Sequence, residues 1–254
     1  QVASVLGRDF ERHLLEAACG SPSVLKELDE LLAAELIRRR PAATEHFAFN
    51  QAIIQEVAYQ GLLLKRRREL HLRVGMRLEE AARAHSDGTE PAPILAYHFL
   101  RAEDEPKAFH YLCLAAGLAK RLYSNHEACQ NYQAALELAA KLGQARAPLL
   151  RDLADVRSTL GQFDQAQTLL EEALQEKQAL DQLAATYLQL GSVKERLGDY
   201  PSALDAYERG LEALAGGPHS PERARLLAAI ALVEFSLGRF QEAIARCQLA
   251  RTGL

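Results

Sequence analysis

Apolar positions recur along most of the chain at spacings of three and four residues, which is the pattern of amphipathic α-helices. The segment Leu190–Leu211 shows the pattern most clearly, because one apolar stripe ends at Leu197-Gly198 and a second begins after Asp199. Two such stripes on either side of a glycine turn predict a helical hairpin. We expect this hairpin to be the unit that repeats through the C-terminal part of the chain.

The same signature occurs three times at fixed offsets from a turn glycine. After Gly161, Gly198 and Gly238 come an aromatic residue at +2, alanine at +5, a larger residue at +9 and a small residue at +12. The glycines lie 37 and 40 residues apart. A fourth, degenerate unit lacks the turn glycine and has Asn125 at the aromatic position; it keeps Ala128, Tyr132 and Ala135.

This pattern resembles the tetratricopeptide (TPR) repeat, whose period is about 34 residues. The resemblance implies a stack of hairpins in which small residues lie where helices cross closely and an aromatic residue fills the space beside them. The predicted repeat region is 91–254, with a degenerate repeat at about 109–142 and further repeats at 147–180, 184–217 and 224–254. The last repeat carries Ile244 and Leu249 on an apolar stripe without a polar capping helix. We therefore expect either further repeats in a longer parent protein or self-association at this end.

Residues 1–87 lack the repeat and predict a different arrangement. We expect a helix capped by Asp9 that runs to about Cys19, and a second helix that starts at Ser21-Pro22. The runs Leu36–Arg40 and His46–Phe49 predict a short two-stranded β-hairpin. A long amphipathic helix is expected from about Arg66 to Ala84.

Together these elements predict an all-α fold class: a TPR-like α-solenoid of helical hairpins preceded by a small winged-helix-like segment with a short two-stranded β-hairpin. Turn residues around Ser86–Pro91 predict a linker between the two parts, and Gly216–Pro221 predicts an extended turn between repeats. The Ser220-Pro221 pair in that turn predicts the start of a helix.

A second resemblance lies in four short motifs. Ala3–Phe10, Phe47–Tyr59, Arg67–His71 and Leu95–Leu100 together are similar to the winged-helix region of STAND-type signalling ATPases, including those attached to bacterial class III adenylate/guanylate cyclases and large LuxR-type regulators. The resemblance covers Ala3–Gln133 and merges into the repeats. It implies a cytoplasmic, bacterial protein in which an upstream P-loop ATPase domain binds nucleotide and this chain forms the sensor and lid arm.

Two roles are open for Asn50. The STAND family often has a histidine just before the helix that follows the wing, where it reaches the nucleotide phosphates, so the resemblance implies a nucleotide sensor at Asn50. An asparagine can donate a hydrogen bond there but carries no charge. The alternative is a structural cap for a helix that starts at Gln51, a position that asparagine favours.

The sequence contains no catalytic motif. It has no GxxxxGK[ST] or GxGxxG phosphate loop, no HExxH and no nucleophile elbow, so we interpret the chain as non-enzymatic and expect no cofactor. Two His-x-x-Cys pairs, His110/Cys113 and His126/Cys129, would lie up to about 20 Å apart along a helical hairpin, too far for one zinc ion. No apolar run approaches 18 residues, so no membrane-spanning helix is predicted.

A basic run, Lys65–Arg68, raises the alternative of a DNA-binding regulator. Against it, Glu69 and Glu79 interrupt the basic stripe, the segment before the wing is acidic, and the chain has a formal net charge of −4. Nucleic-acid binding is therefore the least favoured of three hypotheses. The first is the STAND regulatory arm, and the second is a free-standing TPR adaptor or scaffold that joins partner proteins.

The TPR resemblance implies that the first helix of each hairpin faces a concave groove that binds a protein or peptide partner. Its groove positions fall on Lys120, Arg121, Arg151, Asp155, Thr159, Leu188, Ser192, Glu195, Arg196, Arg225, Leu232 and Phe235. The mix is polar and balanced in charge, with an apolar end at the last two positions.

Overall fold

The computed structural model describes residues 1–19, 24–40, 43–84, 91–215 and 220–252. The predicted helix start at Ser21-Pro22, most of the predicted linker and most of the turn before Ser220 lie outside these residues. The chain divides into two compact units, Gln1–Ala115 and Ala116–Leu254, and the division falls within helix α7.

The N-terminal unit combines helices with one small antiparallel sheet whose strand order is β1-β3-β2. Its elements are α1 (Val2–Leu6), β1 (Asp9–Glu11), α2 (Arg12–Cys19), α3 (Leu25–Ala33), β2 (Ile37–Arg40), β3 (Ala43–Phe49), α4 (Ala52–Gln60), α5 (Leu64–Ala84), α6 (Ala92–Ala102) and the start of α7 (Glu105–Arg121). The predicted β-hairpin is confirmed as β2 and β3, and the sheet adds β1 as a third strand.

Strand β1 corrects the prediction that Asp9 caps a helix. Asp9 lies in the sheet opposite Ala48, its carboxylate is paired with Arg40, and the helix begins only at Arg12. The cause is burial of Phe10, whose ring stacks on Phe47 at a centroid distance of 5.9 Å in the core of this unit. Pairing with a distant strand thus outweighs the local capping preference of aspartate.

The prediction that Asn50 caps the following helix is also wrong. Helix α4 starts at Ala52, Gln51 occupies the cap position, and no side chain caps the helix. The Asn50 side-chain amide instead donates to the carbonyl of Glu35, and its backbone N–H donates to the carbonyl of Leu36 at 3.1 Å. Asn50 therefore fastens the end of β3 to the turn that follows α3.

A cluster of polar side chains, one from each helix, joins α4, α5 and α6. His71 and His98 are both buried, and their Nδ1 atoms lie 3.0 Å apart. The Tyr59 hydroxyl lies 3.0 Å from Nε2 of His71, and the Tyr97 ring meets both imidazoles edge-on. The Nδ1 atoms of the two histidines satisfy each other, and the Tyr59 hydroxyl satisfies Nε2 of His71.

Burial lowers the pKa of both histidines. For His71 the effect of desolvation is reinforced by His98 and then by the positive charges of Arg101 and Arg67. For His98 desolvation alone is the cause. Both imidazoles are therefore neutral in the folded chain at neutral pH.

Most of the basic residues on α5 are engaged within the N-terminal unit. The Arg67 guanidinium lies 4.3 Å from the centroid of the Tyr59 ring, Arg68 pairs with Glu103, and Arg73 donates to the Ala18 carbonyl at 3.0 Å. These side chains join α5 to its neighbours, so the basic run has a structural role.

The C-terminal unit confirms the predicted helical hairpins. After the end of α7 it contains α8 (Asn125–Leu142), α9 (Ala147–Thr159), α10 (Phe163–Gln175), α11 (Leu180–Arg196), α12 (Tyr200–Ala213), α13 (Pro221–Ser236) and α14 (Phe240–Thr252). The predicted helix start at Ser220-Pro221 is confirmed, since the Ser220 hydroxyl accepts from the backbone N–H of Arg223 at 3.3 Å. The alanines at +5 are buried in all four helical pairs: Ala128, Ala166, Ala203 and Ala243.

The helices cross most closely at two glycines of the third pair. A methyl group at Gly191 would lie 2.2 Å from a carbon of the buried Tyr207 ring. One at Gly210 would lie 2.9 Å from the Leu226 side chain and 3.2 Å from that of Tyr187. Each glycine thus leaves room for a large side chain of another helix.

Gly191→Ala is expected to lower the free energy of unfolding by about 1–3 kcal/mol, because the Tyr207 ring must move from a packed position. Urea denaturation measures the change. Gly117→Ala is the matched control, since its methyl group would meet only the flexible end of Arg121, at 3.7 Å. The control should be neutral or gain up to about 1 kcal/mol from helix propensity. Equal effects of the two variants would contradict the close-packing argument.

Lowering the pH from 7 to 5 is expected to reduce the free energy of unfolding by about 2 kcal/mol for each histidine of the His71–His98 pair. The unfolded chain binds protons below its ordinary histidine pKa of 6.5, whereas the folded chain does not. Stability is thus complete above pH 6.5 and falls below it. Denaturation curves at several pH values measure the slope. The double variant His71→Leu/His98→Leu should lose most of it, and an unchanged slope would contradict the assignment.

Candidate partner-binding site

A polar cleft of about 550 Å³ lies where the end of α7 meets α9. Four of the predicted groove residues meet in it. It is lined by Lys120, Arg121, Tyr123, Asn125, Asp155, Val156 and Thr159. The two helices bring the groove residues together because both are first helices of successive pairs, so their solvent-facing positions lie side by side.

The cleft contains one neutralised cation and one unpaired cation. Lys120 Nζ lies 2.9 Å from Asp152 Oδ1 and 2.8 Å from Asp155 Oδ2. Partial burial disfavours the ammonium form of Lys120, but the hydrogen bonds that the ammonium donates to the Asp155 and Asp152 carboxylates outweigh this effect, and the pKa of Lys120 is raised. Arg121 is exposed and forms no ion pair with any residue in the described ranges.

Sequence reasoning missed three residues of the polar cleft: Tyr123, Asn125 and Val156. A signal for Tyr123 was present. Ala128 lies five residues after Tyr123, as Ala166 lies five residues after Gly161, which places the tyrosine at the turn-glycine position of the degenerate repeat.

An apolar cleft of about 830 Å³ lies between α13 and α14. It includes the last two predicted groove residues, Leu232 and Phe235, which are 66% and 61% exposed. The Phe235 and Phe240 rings meet edge-on at 5.4 Å. The full lining is Ala228, Ala231, Leu232, Phe235, Phe240, Ala243, Ile244, Cys247, Gln248 and Arg251.

Comparison with the preceding pairs explains why this face is open. The +9 residue is buried as Leu170 in α10 and as Tyr207 in α12, but Cys247 of α14 is exposed. In the described chain, α11 packs on α10 and α13 packs on α12, whereas no described helix follows α14. The sequence expected the +2 aromatic to fill a packed wedge; Phe163 is half-buried, whereas Tyr200 and Phe240 are exposed, so this expectation is wrong for the last two pairs.

The other six predicted groove residues line neither cleft. The Tyr207 hydroxyl donates to the Glu195 carboxylate, which raises the pKa of Tyr207 in addition to the larger effect of burial. The Arg196 guanidinium lies 5.8 Å from the Phe163 ring centroid. Both side chains are thus used between helices. Arg151 donates to the Gln182 carbonyl, Arg225 pairs with Glu222, Leu188 packs into the core, and Ser192 is exposed.

The described residues contain neither a metal-binding cluster nor a membrane-spanning helix. Among the residues that the structure describes, no three histidine, cysteine, aspartate or glutamate side chains are arranged to hold a metal ion. In the same ranges, none of the helices has the length and apolar character that a bilayer crossing requires.

The paired helices that cross at small residues have a counterpart among known protein families. Residues 182–252 match the tetratricopeptide repeat family. This finding supports the TPR resemblance of the sequence over α11–α14. A curated relative, the BBSome complex member BBS4 of Bos taurus, is 33% identical over 115 residues. That match covers 44% of this chain and 20% of BBS4, so the chain spans about a fifth of the relative's length.

Solved structures with this fold are similar in shape but distant in sequence. The apo form of RapI has a TM-score of 0.55 and 16% identity, covering 79% of this chain and 57% of RapI. BtubC (BKLC) from P. vanneervenii has a TM-score of 0.53 and 22% identity, covering 76% and 91%. A Rap protein complexed with Competence and Sporulation Factor has a TM-score of 0.51 and 16% identity, covering 78% and 56%. These similarities show the fold.

A double-mutant cycle on Lys120→Met and Asp155→Asn is expected to give a coupling energy of about 0.5–1 kcal/mol, because the ion pair is half-exposed. Urea denaturation of the four proteins measures it. Added salt should weaken the coupling. A coupling energy of zero at low salt would show that the pair contributes nothing to the junction of α7 and α9.

Proposed function

We propose that the C-terminal unit binds a protein or peptide partner, with the polar cleft as its principal contact, and that the chain has no catalytic role of its own. The observation that carries this proposal is the meeting of Lys120, Arg121, Asp155 and Thr159 in one cleft. The Rap protein complexed with Competence and Sporulation Factor has a similar fold and supports a ligand-binding role.

The chemistry of the cleft favours binding over catalysis. Lys120 is held as an ammonium ion by two carboxylates, which makes it a poor nucleophile and a poor base. The Thr159 hydroxyl donates to the Asp155 carbonyl at 3.0 Å, so it is not activated by a general base. Charged and hydroxyl groups in this arrangement can form hydrogen bonds with a polypeptide segment.

Thr159→Trp is expected to lower the affinity for the partner at least about tenfold, because the indole would fill much of the cleft. The partner would be captured by crosslinking in a lysate of the source cells, then purified and titrated by calorimetry. Thr168→Trp in α10 is the matched control, since that exposed threonine makes the same 3.0 Å hydrogen bond to its own helix but lies outside the cleft. Unchanged affinity in Thr159→Trp would exclude the polar cleft.

We further propose that the chain is the sensor and lid arm of a larger, cytoplasmic STAND-type ATPase. Two features of the N-terminal unit support this proposal. The order α1-β1-α2-α3-β2-β3 with a three-stranded sheet suits the winged-helix-like segment expected at 1–87, followed by repeats at 91–254. Helix α4 buries none of its residues and exposes Ile53 and Val57, which are 57% and 62% accessible.

The exposed apolar side chains Ile53 and Val57 on the outer face of α4 suit contact with a further domain. In this proposal the upstream ATPase packs on α4, and Asn50 lies at the edge of that contact as a nucleotide sensor. One N–H of its amide is engaged with Glu35, and the second is the group that would donate to a phosphate oxygen.

The alternative is a free-standing adaptor. It would bind its partner through the same polar cleft, but it would not be attached to an ATPase domain. Sequencing the gene upstream of the Gln1 codon separates the two. A phosphate-binding Walker-A loop within a few hundred residues would support the ATPase arm. A start codon directly upstream, with no ATPase, would exclude it and leave the adaptor.

DNA binding remains the third candidate and has the least support. In a helix-turn-helix the second helix reads the DNA, and the corresponding helix here is α3. Its exposed face carries Glu27, Asp29 and Glu30. These carboxylates would be repelled by phosphate groups.

A further inference from the structure

One turn of the C-terminal unit has a non-glycine residue at the position where the other three turns have glycine. The residue between the two helices of each pair has a left-handed conformation, and in three pairs it is glycine: Gly161, Gly198 and Gly238, with φ of 74°, 80° and 77°. In the first pair the same position is Tyr123, with φ of 58°.

The left-handed conformation is unfavourable for a residue with a side chain. It costs about 1–2 kcal/mol, which is why glycine normally takes such positions. Glu35 and Glu103 of the N-terminal unit have the same conformation, with φ of 55° and 58°, so what distinguishes Tyr123 is a large aromatic side chain at a position that is glycine in the other pairs. Non-glycine residues in strained conformations are found preferentially at functional sites.

The backbone hydrogen bonds of this turn, from Tyr123 N–H to the Lys120 carbonyl and from Ser124 N–H to the Ala119 carbonyl, also form at the glycine turns, so they do not account for a tyrosine side chain here. The Tyr123 side chain is 81% exposed and forms no hydrogen bond or ring contact with any residue in the described ranges. The neighbouring Leu122 is 69% exposed, more than Leu197 and Leu237, which hold the same position before the turn in later pairs. The turn thus presents two large side chains to solvent.

The charge beside this turn points to the kind of partner. Arg121 precedes the two exposed side chains and has no ion pair in the described ranges, while Lys120 is neutralised by Asp152 and Asp155. Lys120 and its two aspartates together carry a net charge of −1. Arg121 therefore supplies the positive charge that has no ion-pair partner in the described ranges, and a guanidinium binds a carboxylate through two parallel hydrogen bonds. Tyrosine and arginine are also the residue types that most often dominate binding energy at interfaces.

We propose that Tyr123, Leu122 and Arg121 form a recognition surface at the mouth of the polar cleft for an acidic segment of a protein partner. The segment places a carboxylate on Arg121 and a neighbouring apolar side chain against Tyr123 and Leu122. This inference rests on the proposed partner-binding function and names the chemistry of the partner. Tyr123 is retained for contact with that partner at the expense of backbone strain.

The test separates stability from binding through reciprocal variants. Tyr123→Gly should raise the melting temperature by about 2–4 °C, because glycine relieves the strain. Gly198→Tyr places the same ring at the equivalent turn of the third pair, where an added Cβ atom would meet no other atom within 4 Å. It should lower the melting temperature by a similar amount. Equal melting temperatures in all three proteins would show that Tyr123 is not strained and would overturn its assignment.

Binding is measured with random 12-residue peptides displayed on phage and selected on the full chain, followed by fluorescence titration of the enriched synthetic peptides. We expect enrichment of Asp or Glu next to Phe, Leu or Ile. Affinity should fall at least about tenfold in Tyr123→Gly and Arg121→Gln and remain within about threefold in Tyr123→Phe. Replacing the acidic residue of the peptide by its amide should weaken binding to the unchanged chain but not to Arg121→Gln.

Two other outcomes are distinguishable. Peptides that bind Tyr123→Gly and Arg121→Gln as tightly as the unchanged chain, but lose affinity in Thr159→Trp, would overturn this inference and leave the proposed function intact. Enrichment of no peptide above an unrelated helical protein would count against the proposed function and, with it, this inference.

Discussion

The structure of the C-terminal unit depends on close helix crossing at positions without a side chain. The Tyr207 ring occupies the space that a methyl group at Gly191 would need, and Leu226 occupies the corresponding space at Gly210. Because these contacts join α11 to α12 and α12 to α13, they fix the separation of successive pairs. That separation also sets the distance between α11 and α13, the first helices of these two pairs, which are in direct contact.

The repeat architecture could be predicted from the sequence because its determinants are local and periodic. Alanine at +5 and a larger residue at +9 fall on one helical face, and both are buried in the first three pairs, whereas in the fourth pair Ala243 is buried and Cys247 is exposed. The β2–β3 hairpin could be predicted for the same reason. Strand β1 could not, since three residues carry no periodicity and their pairing with β3 is formed across more than thirty residues of chain.

The candidate site could be predicted only in part. Repeat position identified Lys120 and Asp155 as facing the groove, but it could not show that they neutralise each other. Glu195 has the same solvent-facing periodicity, yet its carboxylate is occupied by the hydroxyl of Tyr207, twelve residues later. Asn50 shows the same limit, because its bond to Glu35 depends on the turn after α3. Contacts with side chains of other helices and strands decide which of the predicted groove residues remain available to bind a partner.

The ion pairs of Lys120 have a consequence for how the polar cleft responds to a ligand. Lys120 belongs to the end of α7, and both of its carboxylate partners belong to α9. A ligand cation that binds Asp155 must compete with Lys120, and in doing so it loosens the junction between two successive helical pairs.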